Sequence, residues 1–254
     1  MSAVEAGPRG DSSAPGDADL PTPRVIETRD DTGRRVRVLE VEGTYESATY
    51  LEDAWAELVF PYHRLFDRAF DVMPGASRVL MLGGGGCSWP KHVIVTRPRV
   101  TLDVVEVDPS VIELARESFY LDRLERLCDD EGLGRLRVIR ADAMAFLRGC
   151  DRTYDIVAND AFVADDPLAS LATPGAIDLV RAHLSADGCY MANVVAALEG
   201  DDAEPLHEVC SLLSGFFEHI LVIPCGADEP EVADNNVVIA TDVDVSVPDA
   251  LRFC

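Results

Sequence analysis

Apolar runs that read as strands alternate with segments whose apolar residues recur at helical spacing, and this alternation fills the chain from Arg78 to Thr241. The pattern predicts strands over 78–83, 100–106, 135–140, 154–160, 188–195, 219–224 and 235–241. Helices are predicted from residue 88 onward and over 109–119, 142–148, 173–184 and 202–217. Repeated strand–helix units imply an α/β, Rossmann-like, doubly wound parallel sheet whose ligands bind at the carboxyl ends of the strands. No helical segment separates the last two strands, so they are expected to pair antiparallel.

The region before this alternation reads differently. Residues 1–33 are rich in Gly, Pro, Ser, Ala and Asp, show no period of 2 or 3.6, and are expected to form a disordered acidic tail. Val36, Val38 and Val41, then Gly43-Thr44, then Tyr45 to Tyr50 predict a short N-terminal β-hairpin. Trp55, Leu58, Val59, Tyr62, Leu65, Phe66 and Phe70 lie at helical spacing, mostly as core, with Pro61 placed to kink or divide the helix. The expected division is therefore 1–33 tail, 34–71 hairpin and helix, and 72–254 catalytic domain.

Composition narrows the function classes. With 254 residues, 48% of them hydrophobic, the chain can build one α/β domain with a small appendage. No apolar run approaches the roughly 20 residues of a membrane span, and the start lacks a signal-peptide pattern, so a cytoplasmic protein is expected. The net charge of −24 argues against nucleic acid as a partner. Lys91 is the only lysine, which excludes a P-loop and leaves one poor Schiff-base candidate. Seven cysteines without a C-x-x-C pair and five histidines without ligand spacing predict reduced thiols and no metal. Cys87 reads as a small buried hydrophobe before a reactive thiol.

The chemistry gathers at the first strand of the alternation. Leu82 leads into Gly83-Gly84-Gly85-Gly86, and Glu106 ends the next strand. A carboxylate about 20 residues beyond a glycine loop can accept hydrogen bonds from both hydroxyls of a ribose. Cys87-Ser88-Trp89-Pro90 follows where a pyrophosphate would need room beside a helix N-terminus. A nucleoside without a diphosphate is favoured, which means adenosylmethionine chemistry before NAD. A glycine turn serving only strand–helix packing is the alternative. Asp142 and Asp160 end the third and fourth strands. Asp142 reads equally as an N-cap or as an acceptor near an adenine amino group, whereas Asp160 precedes a loop-like stretch and is less easily read as a cap.

Leu82 to Gly86, Val105 to Asp108, Ala141-Asp142-Ala143 and Tyr154 to Phe162 together resemble, in order and spacing, the nucleoside-site segments of the spermidine synthase family, the polyamine aminopropyltransferases. The likeness runs from about Arg37 to Asp242 and is similar to the spermidine-synthase-like branch. It implies the seven-stranded sheet of adenosylmethionine-dependent methyltransferases, a homodimer, and transfer of an aminopropyl group from decarboxylated S-adenosylmethionine to a small cationic amine. By the resemblance Glu106 would hold the ribose, Asp142 the adenine amino group, and Asp160 would be the catalytic carboxylate.

Several positions depart from the family pattern. Gly86 stands where the family's G-G-G-D-G motif has the Asp that binds the amine of the transferred group, so Gly86 is expected to govern which nucleoside is used. Glu46 and Trp55 stand for a Gln and a Tyr upstream, while Glu52 and Glu57 are kept. Glu46 could supply the charge that Gly86 lacks. Asp165 and Asp166 lie in the rewritten gate segment, and with Glu46 and Trp55 they are the expected substrate-side residues. Three readings stay open: aminopropyl transfer, methyl transfer from S-adenosylmethionine, and a non-catalytic nucleoside or polyamine binder.

Overall fold

The computed structural model describes residues 22–161, 171–226 and 229–253. Three antiparallel strands come first, β1 (Arg24–Arg29), β2 (Arg35–Val41) and β3 (Thr44–Tyr50), in the order β1-β2-β3. The expected hairpin is thus a three-stranded sheet, and β1 lies inside the stretch read as tail. β1 escaped the sequence pattern because none of its residues is buried, so no apolar alternation marks it. Residues 1–21 of the expected tail lie outside the described residues.

The long helix expected after the hairpin is divided. Glu52–Ala54 makes one 3-10 turn, followed by α1 (Pro61–Phe66) and α2 (Ala69–Val72). Pro61 occupies the first turn of α1, where its missing N–H costs nothing and its fixed φ suits the helix.

The main sheet then follows with β4 (Arg78–Leu82), α3 (Ser88–Thr96), β5 (Thr101–Glu106), α4 (Pro109–Ser118), α5 (Leu121–Glu131), β6 (Leu136–Arg140), α6 (Ala143–Gly149) and β7 (Tyr154–Asn159). It continues through α7 (Pro174–Ala182), β8 (Leu184–Ala196), α8 (Glu204–Ser214), β9 (His219–Pro224), β10 (Asp234–Thr241) and β11 (Leu251–Phe253). Strand order is β11-β9-β10-β8-β7-β4-β5-β6. β4 pairs parallel with β5 and β7, and β10 pairs antiparallel with both β8 and β9. The order of the seven expected strands is that of the methyltransferase-type sheet. The short edge strand β11 makes an eighth.

One apolar layer, including Phe66, Trp89, Val93 and Leu124, covers one face of this sheet, and a second, including Leu147, Ile177, Val180 and Leu213, covers the other. Every residue of β7 is buried. Burying each Val, Leu or Ile of such strands contributes ~1.5–3 kcal/mol. The N-terminal sheet is fastened beside the glycine loop. Leu39 packs on Val111 and Phe119, and Arg37 donates to the Ser118 carbonyl at 2.7 Å. Lys91, fully buried, donates to the Thr49 hydroxyl at 3.0 Å and the Phe119 carbonyl at 2.7 Å. Burial pushes its pKa down to about 7.

Candidate active site

β4 and β7 are hydrogen-bonded neighbours, so the loops leaving their carboxyl ends emerge side by side. Gly83 leaves β4 with φ +83°, and a Cβ there would lie 2.6 Å from the backbone of Asp160 and Ala161. Only glycine both adopts that conformation and lets the end of β7 approach so closely. The amide of Asp160 donates to the Leu82 carbonyl at 2.9 Å, which fixes the residue against the loop.

Glu106, at the end of β5, ties the loop itself. Its Oε2 accepts from the amides of Gly84 and Gly85, each at 3.0 Å, and Oε1 accepts from the Asp108 amide at 3.0 Å. A carboxylate has about four acceptor positions, so one remains for a further donor. Asp108 in turn caps α4 by accepting from Ser110 at 2.7 Å.

The Asp160 carboxylate is 7% exposed and has three donors. Oδ2 accepts from the Tyr62 hydroxyl and from His63 Nε2, both at 3.2 Å, and Oδ1 accepts from Asn193 Nδ2 at 3.1 Å. Because a carboxylate only accepts, His63 presents Nε2–H and Asn193 its NH2 group. His63 Nδ1 and Asn193 Oδ1 are left buried without a partner. Burial, then the adjacent Asp160 charge, pushes the Tyr62 pKa well above its usual value, so the phenol stays protonated and remains a donor.

Tyr62, His63 and Asn193 were not singled out from sequence as site residues. Tyr62 lay in an apolar stripe that reads as core, and it is indeed buried there beside Phe66. The available signal was the Tyr-His pair directly after Pro61, at the start of a helix. Two ring side chains in a first helical turn can aim polar tips at a neighbouring strand end.

Glu46 also reaches this cluster. Burial raises its pKa to about 7, helped by the charges of Glu106, Asp160 and Asp108. The other expected residues have different surroundings. Asp142 is exposed and caps α6 through the Ala145 amide at 2.8 Å, which establishes the capping role. Trp55 is buried in the core against Tyr120, with the Arg123 guanidinium 4.6 Å above its ring. Glu52 and Glu57 form exposed ion pairs with Arg35 and Arg34, at 3.8 and 2.7 Å. Asp165 and Asp166 lie outside the described residues. Cys87 is 2% exposed, and burial raises its thiol pKa to about 12, as suits a small hydrophobe.

Gly86 does not face open space. A Cβ there would meet the Ser47 hydroxyl at 2.8 Å and the buried Phe119 ring at 2.9 Å. A side chain at this position would have to displace β3 or the α4–α5 junction, which already fill the volume. Ser47 donates to Ser88 at 2.8 Å, and Ser88 donates to the Ala48 carbonyl at 2.7 Å, which seals β3 onto the loop.

The profile of the spermine/spermidine synthase domain matches residues 61–218, a span holding the glycine loop, Glu106, Asp160 and Asn193. The chain belongs to this family. A polyamine aminopropyltransferase of Vibrio vulnificus is 27% identical over 172 residues, 68% of this chain and 52% of that protein. The chain thus spans about half the length of this curated relative. Among solved structures, a probable spermidine synthase of Corynebacterium glutamicum superposes with a TM-score of 0.71 at 20% identity, over 87% of this chain and 78% of the other. Human methyltransferase-like protein 13, in complex with SAH, gives 0.59 at 19% identity, over 73% and 84%. The fold alone therefore does not choose between aminopropyl and methyl transfer.

Proposed function

We propose that this protein transfers an aminopropyl group from decarboxylated S-adenosylmethionine to a small di- or polyamine. The observation that carries the reading is the Asp160 carboxylate, buried at the end of β7, held by three donors and set beside the glycine loop. The acceptor amine is mostly protonated near neutral pH and cannot attack until it loses a proton. Asp160 would orient the ammonium and take that proton. The freed nitrogen lone pair attacks the methylene carbon next to the sulfonium. A C–N bond forms as the C–S bond breaks, the electron pair returns to sulfur, and neutral methylthioadenosine leaves. Two cations must meet for this step, and the carboxylates around the site lower that repulsion.

On this reading Glu106 and the loop Gly83 to Gly86 hold the nucleoside, and the second oxygen of Asp142 is available to an adenine amino group. Asp165 and Asp166 belong to the acceptor side. The protein works as a homodimer in the cytoplasm, without metal, nucleic acid or membrane. Product analysis by mass spectrometry tests it, with adenosylmethionine and its decarboxylated form each offered with putrescine, spermidine and cadaverine. An aminopropylated amine together with methylthioadenosine is expected. A methylated product formed only from adenosylmethionine would overturn the proposal.

A further inference from the structure

The ladder between β2 and β3 contains one irregularity. Leu39 pairs with Ser47 and Glu40 with Tyr45, which leaves Glu46 with no partner across the ladder. An extra residue of this kind bends its strand and re-aims its side chain. The bulge lies where β3 is clamped to the glycine loop through Ser47 and Ser88. The same clamp fills the volume beside Gly86, where an added side chain would collide with Ser47 and Phe119.

Glu46 is partly buried and without an ion pair or hydrogen bond among the described residues. The charges of Glu106 from β5, Asp160 at the end of β7 and Asp108 at the start of α4 act on it, and its own charge acts on the Tyr62 phenol from α1. His63 bonds Asp160 as well. A second observation points to a ligand with hydrogen to donate: Asn193, 2% exposed and bonded to Asp160, keeps an unpartnered Oδ1. A buried acceptor left unpaired is costly, and a primary ammonium supplies donors in three directions.

Resting on the aminopropyl-transfer reading, we propose that Glu46, turned by the bulge in β3, selects the nucleoside's tail. Its carboxylate holds the free primary ammonium of the decarboxylated sulfonium nucleoside and repels the carboxylate of adenosylmethionine. Glu46 is thus the specificity-determining residue, in place of a side chain on the glycine loop.

Calorimetry with three probes tests this on the full chain: methylthioadenosine, whose tail is uncharged, decarboxylated adenosylmethionine, and adenosylmethionine. Glu46→Gln is expected to leave methylthioadenosine affinity within about twofold and to weaken the decarboxylated ligand about tenfold, which cuts its preference over adenosylmethionine by at least that factor. In the parent the preference should grow from pH 6 to pH 8 as Glu46 ionises, and in Glu46→Gln it should be flat. Glu46→Asp, which keeps the charge, should keep the sign of the preference and guards against a misfolded amide variant. Unchanged preference in Glu46→Gln, with methylthioadenosine still bound, overturns the role of Glu46 alone. Failure of the parent to bind methylthioadenosine overturns it together with the nucleoside site.

Discussion

The two ends of the main sheet use carboxylates in opposite ways. Toward the amino ends, Asp103 on β5 accepts from Tyr154 at 2.8 Å, Arg137 at 3.1 Å and Arg152 at 3.4 Å. Asp155 on β7 accepts from the amides of Ser77 and Arg78, at 2.9 and 3.0 Å, and from the hydroxyl of Ser185 at 3.1 Å. Burial pushes the Asp155 pKa up, but those donors outweigh it and leave the group below its ordinary value. At the carboxyl ends, no lysine or arginine forms an ion pair with Glu46, Glu106 or Asp160 among the described residues. A carboxylate paired with fixed cations, as Asp103 is with Arg137 and Arg152 and Asp155 with Arg78 at 3.8 Å, holds the fold together. One left without a cation is ready for a ligand that brings its own.

Gly83→Ala breaks this comparison most severely, because its Cβ would strike the backbone of Asp160 and Ala161 at 2.6 Å in a conformation unsuited to side chains. Stability should fall by about 3 kcal/mol or more, with activity lost as Asp160 is displaced. Thermal melting alongside an activity assay checks both. A melt and rate equal to the parent's would mean that the end of β7 is not fixed against the loop.

The next effect belongs to Glu106, which serves three amides at once. Glu106→Gln offers one oxygen where two now accept, so methylthioadenosine binding should weaken by about 1–3 kcal/mol. Calorimetry that finds equal affinity would remove Glu106 from the nucleoside site.

How far the sequence revealed these elements depends on burial. β4 to β10 were legible because their apolar runs are flanked by helices of clear period, and Glu106 and Asp160 were legible because they end such runs. α5 was missed although Leu121, Leu124 and Cys128 face the core, because charged residues occupy most of its other positions. β11 is three residues long and mostly exposed, too short to show a period. Within the site, the Asp160 partners were hidden for a tertiary reason. Tyr62 and His63 come from α1 and Asn193 from β8, and only packing brings them to one carboxylate. The block at Gly86 was equally invisible, since Ser47 and Phe119 reach it from distant parts of the chain.

A smaller effect sharpens the comparison through pH. The folded-state pKa of Glu46, about 7, lies above its ordinary 4.5, so the folded protein binds the extra proton between those values. Stability from this group is present below pH 4.5 and is lost as pH rises through about 7. Glu46→Gln does not titrate, so its stability relative to the parent should improve from pH 5 to pH 8. The change should be on the order of 1 kcal/mol once solvent screening of this partly exposed group is allowed for. Urea unfolding at both pH values measures it, and a difference independent of pH would contradict the burial of Glu46 among like charges.

The most direct test sets two aspartates of one strand and its end side by side, measuring turnover with decarboxylated adenosylmethionine and a diamine in Asp160→Asn and Asp155→Asn. Asp160→Asn should melt close to the parent yet lose roughly 10²–10⁴ in kcat, because an amide can neither take the proton nor balance the ammonium. Asp155→Asn should lose about 1–3 kcal/mol of stability while its folded fraction turns over at the parent rate. Full turnover in Asp160→Asn would contradict the assignment of the carboxyl-end carboxylates to the cationic reactants.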